Sequence, residues 1–306
     1  MCRIIENKMR ILVTGSDGQL GRALQEVLPK EDCFFMTRQD FDITDEKQTV
    51  QQITDVRPEI VIHTAAYTDV DGCEKNPELA ERINVIGTEN VAKACQRVAA
   101  IMFYISTDYV FDGRKGVPYQ EKDEPHPLSI YGKTKLKGEE VAKKLPKYFI
   151  IRTAWLFGPT SSLNKLGASR GKRRENFVQT ILGLAKEKKE IKVVNDQIGC
   201  PTYALDLAKA IWQLIQRQAT SDQRTGIYHI TNSGSCSWYE FAKEIIELKG
   251  LKTKVIPIAS EEWQKIKPNS AKRPKYSVLD CSKIKKLGIK MPPWQEALKK
   301  YLTHSN

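Results

Sequence analysis

The chain has 306 residues, of which 41% are hydrophobic and 28% charged, ordinary globular usage over a length that suits one large domain or two average ones. Wholesale disorder and collagen-like repeats are excluded, and no apolar run approaches the roughly 18 residues of a helical membrane span, so no membrane partner is expected. The net charge of +12 gathers downstream: residues 243–306 carry 15 basic and 6 acidic side chains and residues 160–175 carry 5 and 1, which leaves the remainder close to neutral.

Arg10 to Thr14 is a short β-branched run that meets Gly15-Ser-Asp-Gly18-Gln-Leu-Gly21, after which Leu20, Leu24, Val27 and Leu28 recur at helical spacing. Strand, glycine turn and helix follow in that order. The alternation continues with Cys33 to Met36 as a strand, Glu46 to Val56 as a helix, Glu59 to His63 as a strand, Glu78 to Ala99 as one long helix and Ile101 to Ile105 as a strand. A turn-rich stretch, Asp112 to Pro127, precedes a helix from about Leu128 to Leu145 and the strand Tyr148 to Ile151. Beyond the polar, basic stretch Thr160 to Glu175, read as a loop, helices are expected over Phe177 to Ala185, Leu205 to Ile215 and Trp238 to Leu248, with strands at Ile191 to Val194 and Ile227 to Ile230.

Strands alternating with helices predict an α/β fold, a Rossmann-type doubly wound parallel sheet, with a smaller C-terminal α/β substrate-binding region. The expected division is a flexible extension at 1–8, a dinucleotide-binding domain over 9–155 with part of 190–230, and a mainly substrate-binding region over 156–189 and 231–306. Seven scattered cysteines without a Cys-x-x-Cys pair argue against a disulfide framework or a zinc site. The first residues lack a signal-peptide pattern, so a reduced cytoplasmic setting is expected. The basic charge comes without a recognisable nucleic-acid-binding motif, which favours an anionic metabolite or a solvated face over nucleic acid.

Gly15, Gly18 and Gly21 stand where a dinucleotide loop belongs, because glycines allow a tight turn and bring a helix N-terminus up to a pyrophosphate. The second strand ends near Arg38, a cation suited to a 2′-phosphate, so NADPH is expected, with NADH and a plain surface arginine as the alternative. Asp42 and Ile43 lie within reach of the adenine edge. Tyr131 and Lys135 are four residues apart on a helix, about 6 Å at Cβ, and the ammonium is expected to pull the phenol down and make it a general acid. Thr107, just past the strand Ile101 to Ile105, offers a hydroxyl that completes a carbonyl pocket.

These elements resemble the extended short-chain dehydrogenase/reductase superfamily. Gly18-Gln-Leu-Gly21, Ala65-Ala-Tyr67, Ser106-Thr-Asp-Tyr-Val-Phe111, Tyr131-Gly-Lys-Thr-Lys-Leu136, Asn176-Phe-Val, Asn195 to Thr202, Arg273-Pro274 and Ser277 to Asp280 narrow the resemblance to the dTDP-4-dehydrorhamnose reductase family, over about Met9 to Leu302. That resemblance implies NADPH-dependent reduction of the C4 keto group of dTDP-6-deoxy-L-lyxo-4-hexulose to dTDP-L-rhamnose. It implies Tyr131 as proton donor, Lys135 on the nicotinamide ribose, and Thr107 on the carbonyl or on Tyr131. Asp108, Tyr109 and Trp155 would lie beside the sugar, with a core tryptophan as the other reading of Trp155. Gly18, Gln19 and Leu20 would meet the pyrophosphate, Arg38, Asp42 and Ile43 the adenosine, Ala65, Ala66 and Tyr67 the middle of the cofactor, and Asn176 and Arg273 the nucleotide phosphates. A homodimer is open; some relatives dimerise through a metal held by acidic side chains, but no such set stands out here and no metal is expected.

Three other readings share the scaffold. Dehydratases usually show Thr-Asp-Glu where this chain has Thr107-Asp108-Tyr109, an epimerase would recycle its cofactor, and a non-enzymatic NADP-binding regulatory subunit resembling the methionine adenosyltransferase β subunit carries similar Asp-Tyr-Val-Phe and Tyr-Gly-Lys-Thr-Lys motifs.

Overall fold

A computed structural model describes residues 9–159, 176–218 and 225–304; the expected extension at 1–8 and the basic loop at 160–175 lie outside the described residues. Strand β1 (Ile11–Thr14) is buried throughout, as an unbroken apolar run must be in a parallel sheet covered on both faces. It leads into α1 (Gln19–Val27), then β2 (Cys33–Met36), α2 (Glu46–Val56) and β3 (Ile60–His63). Two short helices, α3 (Val70–Lys75) and α4 (Pro77–Glu81), run through a π-helical turn, Arg82–Ile86, into α5 (Gly87–Val98). Strand β4 (Ile101–Thr107) passes into a 3-10 turn, Asp108–Val110, and α6 (Ile130–Lys143) and β5 (Tyr148–Thr153) follow. Downstream come β6 (Leu156–Phe157), α7 (Phe177–Glu187), β7 (Glu190–Val194), β8 (Ile198–Gly199), β9 (Thr202–Tyr203), α8 (Ala204–Gln218) and β10 (Gly226–His229). The last elements are β11 (Cys236–Ser237), α9 (Trp238–Leu248), β12 (Lys254–Ile258), α10 (Ser260–Ile266), α11 (Ser282–Lys286) and α12 (Trp294–His304).

Six strands form one parallel sheet in the order β2-β1-β3-β4-β5-β10. The order reverses at β1, so the crevice beyond the carboxyl ends of β1 and β3 is where such a sheet takes a ligand. Leu20, Leu24 and Leu28 from the α1 side and Leu207, Ile211 and Leu214 of α8 pack on one face with Val13 and Ile62. Val50 and Ile53 of α2, Val91 and Cys95 of α5 and Val141 of α6 cover the other with Leu12 and Val61. Each such side chain contributes roughly 1.5–3 kcal/mol on leaving water, which fixes the layering.

A further core around Phe157, Phe241, Trp294 and Tyr301 joins α7, α9 and α12 to β7, which pairs in parallel with β12. This is the smaller C-terminal α/β region. Among the described residues no helix is long and apolar enough to cross a membrane.

The helix expected over Glu78 to Ala99 is broken by the π-helical turn, whose extra residue turns Asn84 inward, where it is buried. Behind β4 and β5 a fully buried ion pair joins α6 to the sheet: Arg152 donates from Nε and Nη2 to the two carboxylate oxygens of Glu139, at 2.9 and 2.7 Å, and Ser106 Oγ donates to Glu139 Oε1 at 2.5 Å. Such a pair is tolerated in a core only when its geometry and its other hydrogen bonds offset the desolvation of both charges.

Candidate active site

The glycine turn carries Gly15 at φ +64°, a left-handed backbone that glycine adopts without a Cβ penalty. A Cβ at Gly15 would come to 2.7 Å from Ala65 Cα, and one at Gly21 to 2.5 Å from both Gly15 O and Ser16 Cα. The turn is therefore pressed against the segment that follows β3 and against the start of α1. Gly18 is the N-cap of α1 with no side-chain capping bond, and the first turn holds no acidic residue. Its free N–H groups and the helix dipole suit an anion. Gln19 donates from Nε2 to the Gly158 carbonyl at 3.3 Å. The side chain of Leu20 belongs to the core, so only its backbone faces an incoming pyrophosphate.

Arg38 is 69% exposed beyond the end of β2 and pairs with Asp42 at 3.0 Å. Burial tends to raise the Asp42 carboxyl, but the Thr44 hydrogen bonds and the Arg38 charge win and hold it below its ordinary value. Ile43 differs from expectation, since its side chain packs in the core beside Gly87 instead of lining an open edge. After β3, Ala65 and Ala66 are half-buried, and Tyr67 is held by Asn84, which accepts from Tyr67 N at 2.8 Å and donates to Tyr67 O at 3.1 Å.

Asn84 also donates to Thr134 Oγ1 at 3.1 Å, one residue from Lys135. Next to it lies His63, whose Nδ1 is 2.7 Å from Thr14 Oγ1 and whose Nε2 is 3.2 Å from Thr88 Oγ1. Thr88 donates to the Asn84 carbonyl at 2.8 Å, which leaves its oxygen to accept from His63 Nε2–H and leaves Nδ1 to accept from Thr14. Burial, helped by the Lys135 charge, pushes His63 down to about 3, so the ring is neutral.

Helix α6 is capped by Ser129, which accepts from Gly132 N, and Gly132 is small because a Cβ there would overlap the Tyr109 carbonyl. This approach seats Tyr131 against Tyr109, edge to face at 6.1 Å, and beside Thr107. Lys135 is buried one turn on, its ammonium 4.1 Å from the centre of the Tyr104 ring. The electrostatics depart from the sequence expectation. Burial pushes the Tyr131 phenol well above its ordinary value against the pull of Thr107, and burial pushes Lys135 down to about 7 against the pull of Glu139. In the free protein the amine has lost much of the charge that was expected to lower the phenol.

Thr107 ends β4 and caps the 3-10 turn by accepting from Tyr109 N at 3.2 Å. Asp108, only 2% exposed, does not face an open sugar site: Thr107 Oγ1 lies 3.1 Å from Oδ1, and Ser277 Oγ donates to Oδ2 at 2.6 Å. Tyr109 lies beside Arg273, burial pushes its phenol up against the pull of that charge, and Arg273 Nη2 donates to Asp71 Oδ1 at 2.8 Å. Trp155 has φ +43° and stacks on Trp238 at 3.5 Å and 7°, so one indole face is already covered. Asn176 caps α7 and donates to the Gly158 carbonyl at 2.7 Å, the carbonyl that Gln19 also reaches. A cavity of about 580 Å³ lies between α3 and the segment before Arg273, lined by Glu74, Lys75, Leu128, Asn269 and Lys272 among others. Among the described residues no group of three or more His, Cys, Asp or Glu could hold a metal ion.

Sequence reasoning missed Asn84, His63, Glu139, Arg152 and Trp238, and it quoted Ser277 only within a motif, without a role. Glu139 alone carried a readable signal, standing four residues after Lys135 on the same helix face.

The sheet order and the glycine turn at its switch point define the class, a dinucleotide-dependent oxidoreductase of the short-chain dehydrogenase/reductase type. A family model described as the RmlD substrate binding domain matches residues 9–306. The chain is 41% identical to the spore coat polysaccharide biosynthesis protein SpsK of Bacillus subtilis, over 96% of each, and 36% identical to a dTDP-4-dehydrorhamnose reductase of Sinorhizobium fredii, over 95% of this chain and 96% of that one. The crystal structure of a Bacillus anthracis dTDP-4-dehydrorhamnose reductase in complex with NADP superposes with a TM-score of 0.87 at 42% identity, covering 97% of this chain and 100% of that one. The chain belongs to the dTDP-4-dehydrorhamnose reductase, or RmlD, family.

Proposed function

We propose that this enzyme reduces the C4 keto group of dTDP-6-deoxy-L-lyxo-4-hexulose to give dTDP-L-rhamnose, with NADPH as reductant. The observation that carries the reading is Tyr131 set beside Thr107, the last residue of β4, with Lys135 buried one turn on along α6. The residues fit a dinucleotide: the turn has no room for side chains where a pyrophosphate would lie, and the N-terminus of α1 is uncapped. Gly15, Gly18, Gly21 and the backbone of Gln19 and Leu20 would hold the pyrophosphate, Arg38 the 2′-phosphate, and Ala65 and Ala66 the middle of the molecule. When bound, NADPH supplies the hydride that reaches C4.

Tyr131 donates its phenolic proton to the C4 oxygen, because a buried phenol with a raised pKa arrives at the reaction protonated. Thr107 orients that phenol. Lys135, once an anionic cofactor raises its proton affinity, holds the nicotinamide ribose and stabilises the phenolate left behind. The cavity beside Arg273, with Lys75 and Lys272 on its wall, takes the nucleotide end of the substrate, and Arg273 exchanges Asp71 for phosphate on binding. Reducing the C4 ketone to an alcohol removes no hydroxyl group, so no acid/base pair for water elimination is needed, in keeping with Tyr109 where dehydratases carry Glu.

This reading places the enzyme in the cytoplasm with the reduced cofactor pool. Loss of nicotinamide absorbance on mixing the protein with NADPH and the 4-keto sugar nucleotide tests it. One NADPH consumed per ketone supports the reductase; tight NADPH binding without oxidation would favour the regulatory subunit, and cofactor recycling an epimerase.

A further inference from the structure

Helix α6 carries Tyr131, Lys135 and Glu139 at every fourth position, so the three share one face over about 12 Å of helix. In the reductase reading Tyr131 and Lys135 serve substrate and cofactor, while Glu139 turns to the sheet. Its carboxylate accepts from Ser106 Oγ of β4 at 2.5 Å and from Arg152 Nε and Nη2 of β5 at 2.9 and 2.7 Å. Ser106 and Arg152 are direct partners in the register of those strands, and the following row pairs Thr107 with Thr153. A carboxylate that grips both members of one row fits at a single height along the sheet. That height is one residue from Thr107.

The helix is also pressed onto β4. A Cβ at Gly138 would overlap the Tyr104 hydroxyl, which donates to the Lys135 carbonyl at 3.2 Å, and a Cβ at Gly132 would overlap the Tyr109 carbonyl. These contacts set how closely α6 approaches, and the three bonds of Glu139 set where it stops along the strand. Arg152 extends the grip to the turn that follows Thr107, its guanidinium 5.0 Å from the centre of the Phe111 ring.

Stability alone does not account for charges at this place. The Glu139 and Arg152 side chains are 0 and 1% exposed, and apolar side chains of similar volume often serve a core as well or better. Arg152 Nη1 has no partner among the described residues, so the pair is not even fully satisfied. What it adds over apolar packing is intolerance of displacement. Sliding α6 by one residue, about 1.5 Å, strips both charges of their partners at once.

We propose that Glu139 is a positioning residue of the reaction: with Ser106 and Arg152 it fixes α6 along β4 and so holds Tyr131 and Lys135 at the height of Thr107. This rests on the reductase reading of the same site.

The test compares wild type, Glu139→Met/Arg152→Met and Ser106→Ala by urea unfolding, NADPH fluorescence titration, steady-state kinetics with the 4-keto sugar nucleotide, and crystal structures of the free proteins. The double variant exchanges the ion pair for apolar side chains, so its urea midpoint should match or exceed that of wild type. Its kcat should fall ~10- to 100-fold, the scale of a misplacement near 1 Å, with α6 displaced along β4 in the crystal. NADPH affinity, which rests chiefly on the glycine turn and Arg38, and the KM for the sugar should stay close to wild type. Ser106→Ala keeps both charges and removes only the tie to β4; it should fold as wild type does and lose about three- to tenfold in kcat with the same KM.

A folded double variant with wild-type kcat, or one that loses kcat while α6 keeps its place, overturns the inference. Should the double variant not fold, a wild-type kcat in Ser106→Ala overturns it without further help. Wild type that leaves NADPH unoxidised would instead overturn the reductase reading.

Discussion

Tyr131 carries the proton, so Tyr131→Phe should lower turnover by ~10²–10⁴ while leaving NADPH affinity nearly intact, since the ring stays and only the acid is lost. Stopped-flow rates beside a fluorescence titration of NADPH check both halves. Arg38 is the selectivity residue in this account. Its guanidinium is exposed and, among the described residues, bound only to Asp42 in a pairing that a 2′-phosphate can replace, so Arg38→Ala should raise the KM for NADPH about tenfold and leave NADH little changed. Comparable rises with both cofactors would refute that role. The residues legible in sequence were those whose chemistry depends on local spacing: the glycines, and Tyr131 with Lys135. The expected lowering of the phenol by Lys135 failed because it neglected burial, which moves both groups and takes away much of the amine's charge.

At the scale of elements, the site exists because α1 starts hard against the turn after β1. A methyl at Gly21 would meet the Gly15 carbonyl oxygen and Ser16 Cα at 2.5 Å, backbone atoms that cannot swing aside. Gly21→Ala should therefore cost about 1–3 kcal/mol of stability, as overpacking does, and weaken NADPH binding at least as much as it weakens the fold. Urea unfolding with and without NADPH separates the two effects. The long strands and amphipathic helices of the parallel sheet could be read because burial on both faces leaves unbroken apolar runs and 3.6-residue stripes. The two-residue strands β6, β8, β9 and β11 are too short to show any period. Helices α10 and α11 sit in a charge-rich stretch whose form is set by long-range contacts, such as Arg273 with Asp71. The π-helical turn was invisible for a related reason: one extra residue inside a helical run leaves the composition unchanged while it turns Asn84 into the site.

Over the whole molecule, buried titratable groups tie stability to pH. His63 and His229 are both pushed by burial to about 3 and stay neutral in the fold, whereas the unfolded chain takes up protons below about 6.5; their contribution is complete above that value and is lost as pH falls towards 3. Asp108, raised to about 7, acts oppositely: its contribution is present at low pH and is lost as pH rises through 7. Two histidines outweigh one aspartate, so the urea midpoint should fall between pH about 7 and 5, and fall more steeply in Asp108→Asn, where the opposing group is gone. An unchanged slope in that variant would mean that Asp108 is ionised in the fold. Ser277 reaching Asp108, and β10 completing the sheet after the chain has built much of the C-terminal region, show why the reaction centre is a property of the entire chain. The most direct measurement of the central claim is the product formed from NADPH carrying deuterium at the transferring position. The account predicts dTDP-L-rhamnose with one deuterium at C4 for each NADPH consumed; unlabelled product, or product formed without net consumption of the cofactor, would contradict it.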